Sequence, residues 1–500
     1  MTRVSYKAAA FLAVIEVSAL ALTVPVLATP AVHHTHGEPQ YQPAPPQNRF
    51  TAANGFSMMH GDTASSDTTP VSGPAPGEAR IRAYPLGEVC PSVLVGSDGV
   101  PLAICTKIST RQPTVNLLDP TTGMPEASLS VKAGSSALGG VYTYLDNHNR
   151  VVMVNGASDL LRITHHKTAA GWRLSVTSSI SLGKALTKEC GSATCDTVVG
   201  LTPDRAGRVW FATAHGLIGV VQPGTKRIAT LQLPAGEIIG NSISTLGGRT
   251  AAVTDKALYL LDFRHGQIRL LWRRAYQRQG PRKPGQLTDG SGTTPVFFGP
   301  HRAEKYLAIV DDARPREHLL VFRLPHRQAP DADRPHLTCR LPVLTNLRQS
   351  GTEDAPIGYD RTVIVTDTYG YPYPAGTSGA SKPTKAPFRG GMTRVDVRRS
   401  GGCVVRWDRA IRSAGLPRLS LRNGQIQTVI STPASADETN VYGDTYYYAT
   451  ISAQSGRVIA QQRLGTGPAY DALQMVGTTT PQGVMYQGTL TGFVRIAPAR

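Results

Sequence analysis

The chain has 500 residues and is strongly basic, with 52 Lys and Arg against 34 Asp and Glu and a formal net charge of +18. Its 50 Gly and 37 Pro indicate a turn-rich chain and argue against an all-helical bundle. The shortage of carboxylates suits an acidic compartment, because a carboxylate that must be ionised in the folded state costs stability as the pH falls. A genome rich in G and C is an equally good explanation of the same bias.

Residues 1–28 have the pattern of a secretory signal peptide. Arg3 and Lys7 precede a largely apolar run, and Ala28 offers a small residue for cleavage. Glu16 interrupts the run, and no later stretch has the roughly 20 apolar residues that span a bilayer. We therefore expect a periplasmic or secreted protein with no integral membrane segment after processing.

Residues 29–77 show no apolar periodicity and are rich in Pro, Ser, Thr, Ala and Gly, which predicts a flexible leader. Some of its side chains are of types that can bind copper. They are His33, His34, His36, Met58, Met59 and His60. Incidental histidines in a disordered segment are the interpretation we favour, so no metal site is predicted.

Six cysteines in an exported chain predict disulfide bonds. Six cysteines allow about fifteen connectivities, and nearness in the sequence is our guide among them. The pairs that it favours are Cys90 with Cys105, Cys190 with Cys195, and Cys339 with Cys403.

From about residue 91 the chain repeats short strands separated by tight turns, with matched turns at 117–123, 260–266 and 450–456. We place repeat units near residues 91, 138, 196, 240, 292, 352, 416 and 470. A period of roughly 50 residues with four strands per unit is typical of a β-propeller. We predict one all-β domain over residues 78–500 with eight four-stranded blades, or seven blades if the units after residue 415 merge.

The last unit is short, and residues 79–84 read as an isolated strand just ahead of the first unit. We predict that this strand completes the last blade. It would close the ring and cover an exposed sheet edge.

The order of Leu260, Asp262, Gly266 and Trp272 resembles the repeat of pyrroloquinoline-quinone-type propellers. Quinone enzymes of this type typically hold a pair of adjacent cysteines against the cofactor, together with a calcium ion. The sequence has no adjacent cysteines. The resemblance therefore concerns the fold, and no cofactor is expected.

A longer region is similar to a family of secreted quinone-type propellers without the quinone site, which includes the tetrathionate hydrolases of acidophilic sulfur oxidisers. The motifs that carry this similarity lie at 290–295, 306–315, 319–323, 352–354 and 363–370. The resemblance implies an acid-tolerant homodimer that hydrolyses tetrathionate, a small sulfur oxyanion, to thiosulfate, sulfur and sulfate.

The resemblance also implies an essential Asp in the fifth unit, which we match to Asp311, with Asp312 on the opposite face of the strand. In this hypothesis Asp311 is the general base or nucleophile, and Glu353 and Asp354 share its proton or orient water. Alternatively, Asp311 and Asp312 cap the turn before Pro315.

Arg302 and Arg314 are candidates for binding the substrate anion by nearness in the sequence. Tyr369, Tyr371 and Tyr373 form an aromatic loop that either covers the channel mouth or packs on its rim. Nucleic-acid binding is disfavoured because the basic residues form no dense run. The alternative functions are a non-catalytic secreted binding propeller and a quinone-dependent dehydrogenase.

Overall fold

The computed structural model describes residues 45–134, 141–191, 195–300, 302–325 and 334–499. These residues form eight sheets arranged as the blades of a β-propeller, each with four antiparallel strands, and one sheet has an additional parallel strand. The predicted fold class and the count of eight blades are confirmed. The predicted start of each repeat unit lies close to the first strand of a blade.

Two strands precede the first blade but join blades that form near the end of the chain. They are β1 (Thr68–Thr69) and β2 (Arg80–Pro85).

The first four blades use consecutive strands of the chain. Blade 1 contains β3 (Glu88–Val95), β4 (Pro101–Lys107), β5 (Pro113–Leu118) and β6 (Pro125–Ser130). Blade 2 contains β7 (Tyr144–Leu145), β8 (Val151–Val154), β9 (Asp159–Thr168) and β10 (Gly171–Ser181), and the helix α1 (Gly183–Cys190) follows it. Blade 3 contains β11 (Val198–Pro203), β12 (Val209–Thr213), β13 (Leu217–Val221) and β14 (Ile228–Gln232). Blade 4 contains β15 (Ser244–Leu246), β16 (Arg249–Val253), β17 (Ala257–Arg264) and β18 (Gln267–Ala275).

The last four blades complete the ring. Blade 5 contains β19 (Val296–Phe298), β20 (Tyr306–Val310), β21 (His318–Arg323) and β22 (His336–Pro342). Blade 6 contains β23 (Ile357–Tyr359), β24 (Thr362–Thr366), β25 (Met392–Val397) and β26 (Cys403–Arg409). Blade 7 contains β27 (Arg418–Ser420), β28 (Gln425–Thr432), β29 (Thr445–Ser452) and β30 (Val458–Thr466). Blade 8 contains β31 (Gly477–Thr479), β32 (Met485–Thr489) and β33 (Gly492–Ala497).

The strand at the rim of a blade is more exposed than the strands nearer the axis. In blade 3, strands β11 to β13 are largely buried, whereas β14 is only partly buried. The apolar core lies between blades, where Trp210 of blade 3 shares a cluster with Tyr259 of blade 4. Because a lone blade would expose both faces of its sheet, this stacking supplies the burial that stabilises each blade.

The ring closes through a strand from the beginning of the chain, as predicted. Strand β2 pairs with β33 in antiparallel register, with Ala83 opposite Val494. It supplies the fourth strand of blade 8. The two ends of the propeller domain are thereby held in one sheet.

Two of the predicted disulfides are confirmed. Cys90 and Cys105 join β3 to β4 within blade 1, and Cys339 and Cys403 join the outermost strands of blades 5 and 6. The third predicted pair includes Cys190, whose side chain lies outside the described residues. These bonds fit a protein that matures in an oxidising compartment, periplasmic or extracellular.

The predicted signal peptide, residues 1–28, lies outside the described residues. Within the part of the chain that the structure describes, no helix combines the length and apolar character needed to cross a membrane.

The flexible leader predicted for residues 29–77 differs from the structure over the described residues 45–77. Every residue from 55 to 69 is buried, and β1 within this stretch pairs in parallel with β27 of blade 7. Met58, Met59 and His60 are among the buried residues. We call residues 55–69 the channel segment, because they contact the innermost strands of the ring.

The channel segment is held mainly through its own main chain. Six blades donate a backbone N–H from their innermost strand to one of its carbonyl oxygens, with N···O distances between 2.6 and 3.0 Å. The donors are Val95, Leu145, Thr245, Phe297, Gly358 and Leu419. A polar stretch without apolar periodicity is ordered here because its backbone groups find partners on the blades.

Arg418, at the start of β27, is fully buried and extends the same network with a positive charge. Its guanidinium donates hydrogen bonds to the carbonyl oxygens of Gly55, at 3.1 Å, and of Met59. It also lies close enough to Asp67 for an electrostatic interaction, while Asp67 pairs with His60 at 3.0 Å. The channel segment therefore depends on a cation supplied by blade 7.

We expect Arg418→Leu to lower the free energy of unfolding by about 3–5 kcal/mol, because buried carbonyl oxygens and Asp67 would lose a cationic partner. Urea unfolding at neutral pH measures this change. Arg422 lies just beyond β27 and is exposed, so Arg422→Leu serves as the control, with an expected effect below about 0.5 kcal/mol. Equal effects of the two substitutions would contradict the role given to Arg418.

Candidate functional site

A cavity of about 200 Å³ lies on the propeller axis, at the end where the innermost strands begin. We call it the axial cavity. Its floor is formed by the channel segment, and its walls come mostly from residues just before the first strands of the blades. The residues that bear on its chemistry are Met59, His60, Tyr142, Asn241, Glu353, Asp354, Tyr373 and Met475.

Glu353 and Asp354 bring two carboxyl groups to the axial cavity from the approach to β23. The Glu353 side chain is held on both oxygens: Oε2 accepts a hydrogen bond from the Leu287 N–H at 3.0 Å, and Oε1 accepts one from Asn241 Nδ2 at 3.1 Å. Asp354 is 1% exposed, and its Oδ2 has no hydrogen-bond partner among the described residues. The lining therefore includes one carboxyl group anchored on both oxygens and one with a buried oxygen that has no hydrogen-bond partner among the described residues.

Burial raises the pKa values of both carboxyl groups. For Glu353 burial outweighs the two hydrogen bonds and raises the pKa to about 8. For Asp354 burial acts together with the nearby Asp67 and Glu353 and raises the pKa well above its usual value. In acid both groups are protonated and uncharged.

The residues that line the axial cavity, as far as the structure describes them, include no Lys or Arg. The remaining polar groups are hydroxyl, amide and imidazole groups, and Tyr142 donates a hydrogen bond to Asn241 Oδ1 at 2.9 Å. Met59 and Met475 add soft apolar surface. The lining is thus suited to hydrogen-bond donors, and it attracts cations once a carboxyl group is ionised.

Asp311 lies in the wall of blade 5 and not among the residues that line the axial cavity. Its Oδ1 accepts hydrogen bonds from the backbone N–H groups of Ala313, at 3.2 Å, and His318, at 2.7 Å. The imidazole of His318 contacts Oδ2 at 3.0 Å, and Arg340 Nη2 lies 3.5 Å from the same oxygen. These contacts match the turn-capping alternative for Asp311.

Asp312 belongs to a separate buried cluster around Lys283. The ammonium group of Lys283 lies 3.0 Å from a carboxylate oxygen of Asp312 and 3.0 Å from one of Glu317. Burial opposes the charge of Lys283, but the two carboxyl groups raise its pKa. Burial raises the pKa of Glu317 to about 8 despite the ammonium group. Asp312 is thus paired within the wall, outside the lining of the axial cavity.

The residues predicted to bind the substrate anion are scattered. Arg302 is exposed, and Arg314 donates hydrogen bonds to the carbonyl oxygens of Gln279 and Pro281. Tyr371 is buried and donates to Asp471 Oδ1 at 2.9 Å. Tyr369 donates to Gln349 Oε1 at 2.6 Å. None of these four side chains lines the axial cavity.

The connection between β24 and β25, residues 367–391, is long for a propeller loop and contains the predicted aromatic loop. Tyr373 and Thr377 of this connection line the axial cavity. Phe388, near its other end, donates its backbone N–H to the carbonyl oxygen of Glu438 at 2.9 Å. Of the three tyrosines of the predicted aromatic loop, Tyr373 alone is among the described residues that line the axial cavity.

Tyr142, Asn241 and the channel residue His60 line the cavity, but sequence reasoning did not single them out as site residues. For Tyr142 and Asn241 the sequence does contain a signal, which is their position within the repeat unit. Tyr142 lies just before β7 and Asn241 just before β15, as Glu353 and Asp354 lie before β23. No comparable signal marks His60, since its position depends on how the channel segment threads the ring.

No model of a known protein family matches the chain. An uncharacterised protein of Archaeoglobus fulgidus is 25% identical over 324 residues, which cover 60% of this chain and 61% of that protein. The match thus spans less than two thirds of that relative's length.

Two solved structures illustrate the likeness of fold. Chaetomium thermophilum Sqt1, bound to the N-terminus of the ribosomal protein L10, is similar at a TM-score of 0.48 and 10% identity, over 90% of this chain and 100% of that chain. BamB from Moraxella catarrhalis is similar at a TM-score of 0.34 and 11% identity, over 68% of this chain and 93% of that chain. By its fold the chain is a β-propeller protein, and the fold alone does not identify its function.

The raised pKa of Glu353 predicts how stability varies with pH. A carboxyl group whose pKa is about 8 when folded and near 4.5 when unfolded stabilises the fold fully below pH 4.5. Its contribution is lost as the pH rises to 8, at a limiting slope of about 1.4 kcal/mol per pH unit. Glu317 acts in the same direction.

Denaturant unfolding between pH 4 and pH 9 should therefore show the greatest stability in acid. Glu353→Gln should flatten the decline between pH 5 and pH 8, because the amide does not titrate. Glu126 is exposed on β6, so Glu126→Gln should leave the profile unchanged. A profile equally steep in Glu353→Gln and in the unsubstituted protein would show that Glu353 is not the titrating group.

Proposed function

We propose that the protein is an exported propeller that captures a small organic cation of the amine type in its axial cavity. The observation that carries this proposal is the lining of the cavity, whose described residues contribute two carboxyl groups, one of them with an unpartnered oxygen, and neither Lys nor Arg. An organic ammonium ion supplies the positive charge that balances one of these carboxyl groups once it is ionised.

The rest of the cavity fits the same ligand class. Tyr142 and Tyr373 are aromatic groups of the kind that attract alkylated ammonium groups. Met59 and Met475 provide polarisable surface for the carbon atoms of the ligand. The volume of about 200 Å³ limits the ligand to a compact molecule.

Binding of choline is the direct test, with 3,3-dimethyl-1-butanol as its uncharged isostere. Isothermal titration at pH 7.5 should show binding of choline and none of the isostere. Asp354→Asn should weaken choline binding by about tenfold or more, because the carboxylate charge that attracts the quaternary ammonium group is lost. Asp437→Asn, at an exposed loop carboxylate, should bind as the unsubstituted protein does.

The pH dependence provides a second readout. Because burial raises the pKa values of Glu353 and Asp354, choline competes with protons for these groups, so its affinity should fall as the pH is lowered from 8 to 5. Equal binding of choline and the isostere, or no effect of Asp354→Asn, would overturn the proposal.

Hydrolysis of tetrathionate is the second candidate, and the raised pKa values are the observation that favours it. In acid the two carboxyl groups are uncharged, so they would not repel a dianion and would present O–H donors to it. Tetrathionate and one water would give thiosulfate, sulfur, sulfate and two protons. A protonated carboxyl group would donate its proton to the leaving sulfur and, as the resulting carboxylate, accept the proton that the attacking water releases.

Two substitutions separate the possible locations of this chemistry. Purified protein would be incubated with tetrathionate at pH 3, and thiosulfate release followed. Loss of turnover in Asp354→Asn alone would support a reaction in the axial cavity, whereas loss in Asp311→Asn alone would support the residue that the family resemblance implies. Absence of thiosulfate from the unsubstituted protein would refute the hydrolase candidate and leave the binding proposal to its own test.

A further inference from the structure

A second cavity lies beside blade 6 on the same face of the propeller and has a different character. It has a volume of about 780 Å³, within the range of about 300–1000 Å³ usual for ligand pockets. We call it the blade-6 cleft. It shares no lining residue with the axial cavity. Its walls come from the connection between blades 5 and 6 and from the β24–β25 connection.

Three cations line the blade-6 cleft: Arg348, Lys385 and Arg389. All three are exposed. Arg389 makes one ion pair, with Glu438 at 3.5 Å. The described lining includes a single carboxyl group, that of Asp367. The cleft therefore carries an excess of positive charge, in contrast to the axial cavity.

Asp367 is the second, independent sign of a ligand site. It is 1% exposed, and its Oδ1 accepts a hydrogen bond from the Gly351 N–H at 3.1 Å. Its Oδ2 has no hydrogen-bond partner among the described residues. Burial raises the pKa of Asp367 well above its usual value, with the nearby Glu317 acting in the same direction. In its protonated form Asp367 adds no negative charge that would repel an anion in the cleft.

The cleft also has an apolar side. Leu347, Pro383 and Pro387 line it, and Tyr369 is fixed there by the hydrogen bond from its hydroxyl group to Gln349 Oε1 at 2.6 Å. This surface and the volume exceed what a bare oxoanion needs. A ligand that fills the cleft would have a charged head and a carbon skeleton.

We propose that the blade-6 cleft binds a small organic molecule with a phosphate or sulfate group, held by Arg348 and Lys385, with its carbon part against Leu347 and the two prolines. The two cations supply charge-assisted hydrogen bonds, which are among the strongest polar contacts in proteins. The inference does not depend on the ligand proposed for the axial cavity, because the two sites share no residue.

Phenyl phosphate is a suitable probe, with inorganic phosphate and phenol as its two halves. Isothermal titration at low salt should show binding of phenyl phosphate, weaker binding of inorganic phosphate and none of phenol. Arg348→Gln and Lys385→Gln should each weaken the binding of phenyl phosphate by about tenfold, the loss of one charge-assisted contact. Added salt should weaken it further.

Arg457 lies in the β29–β30 turn and is exposed, so Arg457→Gln is the matched control and should bind as the unsubstituted protein does. Asp354→Asn should also leave phenyl phosphate binding unchanged, which separates this site from the axial cavity. The substituted cations are on the surface, and thermal unfolding would confirm that each variant folds. Absence of binding, or equal binding in Arg348→Gln, Lys385→Gln and Arg457→Gln, would overturn the proposal.

Discussion

The centre of an eight-bladed ring is a place where backbone hydrogen-bonding groups lack partners, because each innermost strand has a neighbour on one side only. The carbonyl oxygens of the channel segment accept hydrogen bonds from the N–H groups of six innermost strands and so supply these partners. Met58, Met59 and Ala64 of the segment pack in the apolar clusters of the ring, while the hydrogen bonds and Arg418 supply what its polar groups require. The axial cavity exists because the segment fills the channel up to Met59 and His60 and leaves the space above them open.

The electrostatics of the two cavities follow from which groups the loops bring in. The axial cavity combines two buried carboxyl groups with hydroxyl and amide groups, so its charge depends on pH. The blade-6 cleft combines exposed cations with one buried carboxyl group. Two cavities lined by groups of opposite charge type thus lie on the same face of the propeller. The basic composition of the chain agrees with the charge of the blade-6 cleft and not with that of the axial cavity.

The sequence predicts the fold well because periodicity, turns and cysteine spacing are local properties. The blade count, the closing strand at residues 79–84 and the pairs Cys90–Cys105 and Cys339–Cys403 could all be inferred this way. The burial of residues 55–69 could not, since it depends on hydrogen bonds to six distant strands. Glu353 and Asp354 were found through their motif, whereas Lys283, the partner of Asp312, is remote in the sequence and carried no signal.

The β24–β25 connection has one property that neither cavity reveals alone. It contributes Tyr373 to the axial cavity and Lys385 to the blade-6 cleft. Between these two residues the connection is held by a hydrogen bond from the Lys382 N–H to the carbonyl oxygen of Arg282, at 2.9 Å. A shift of this single stretch of backbone would move a wall of both cavities at once.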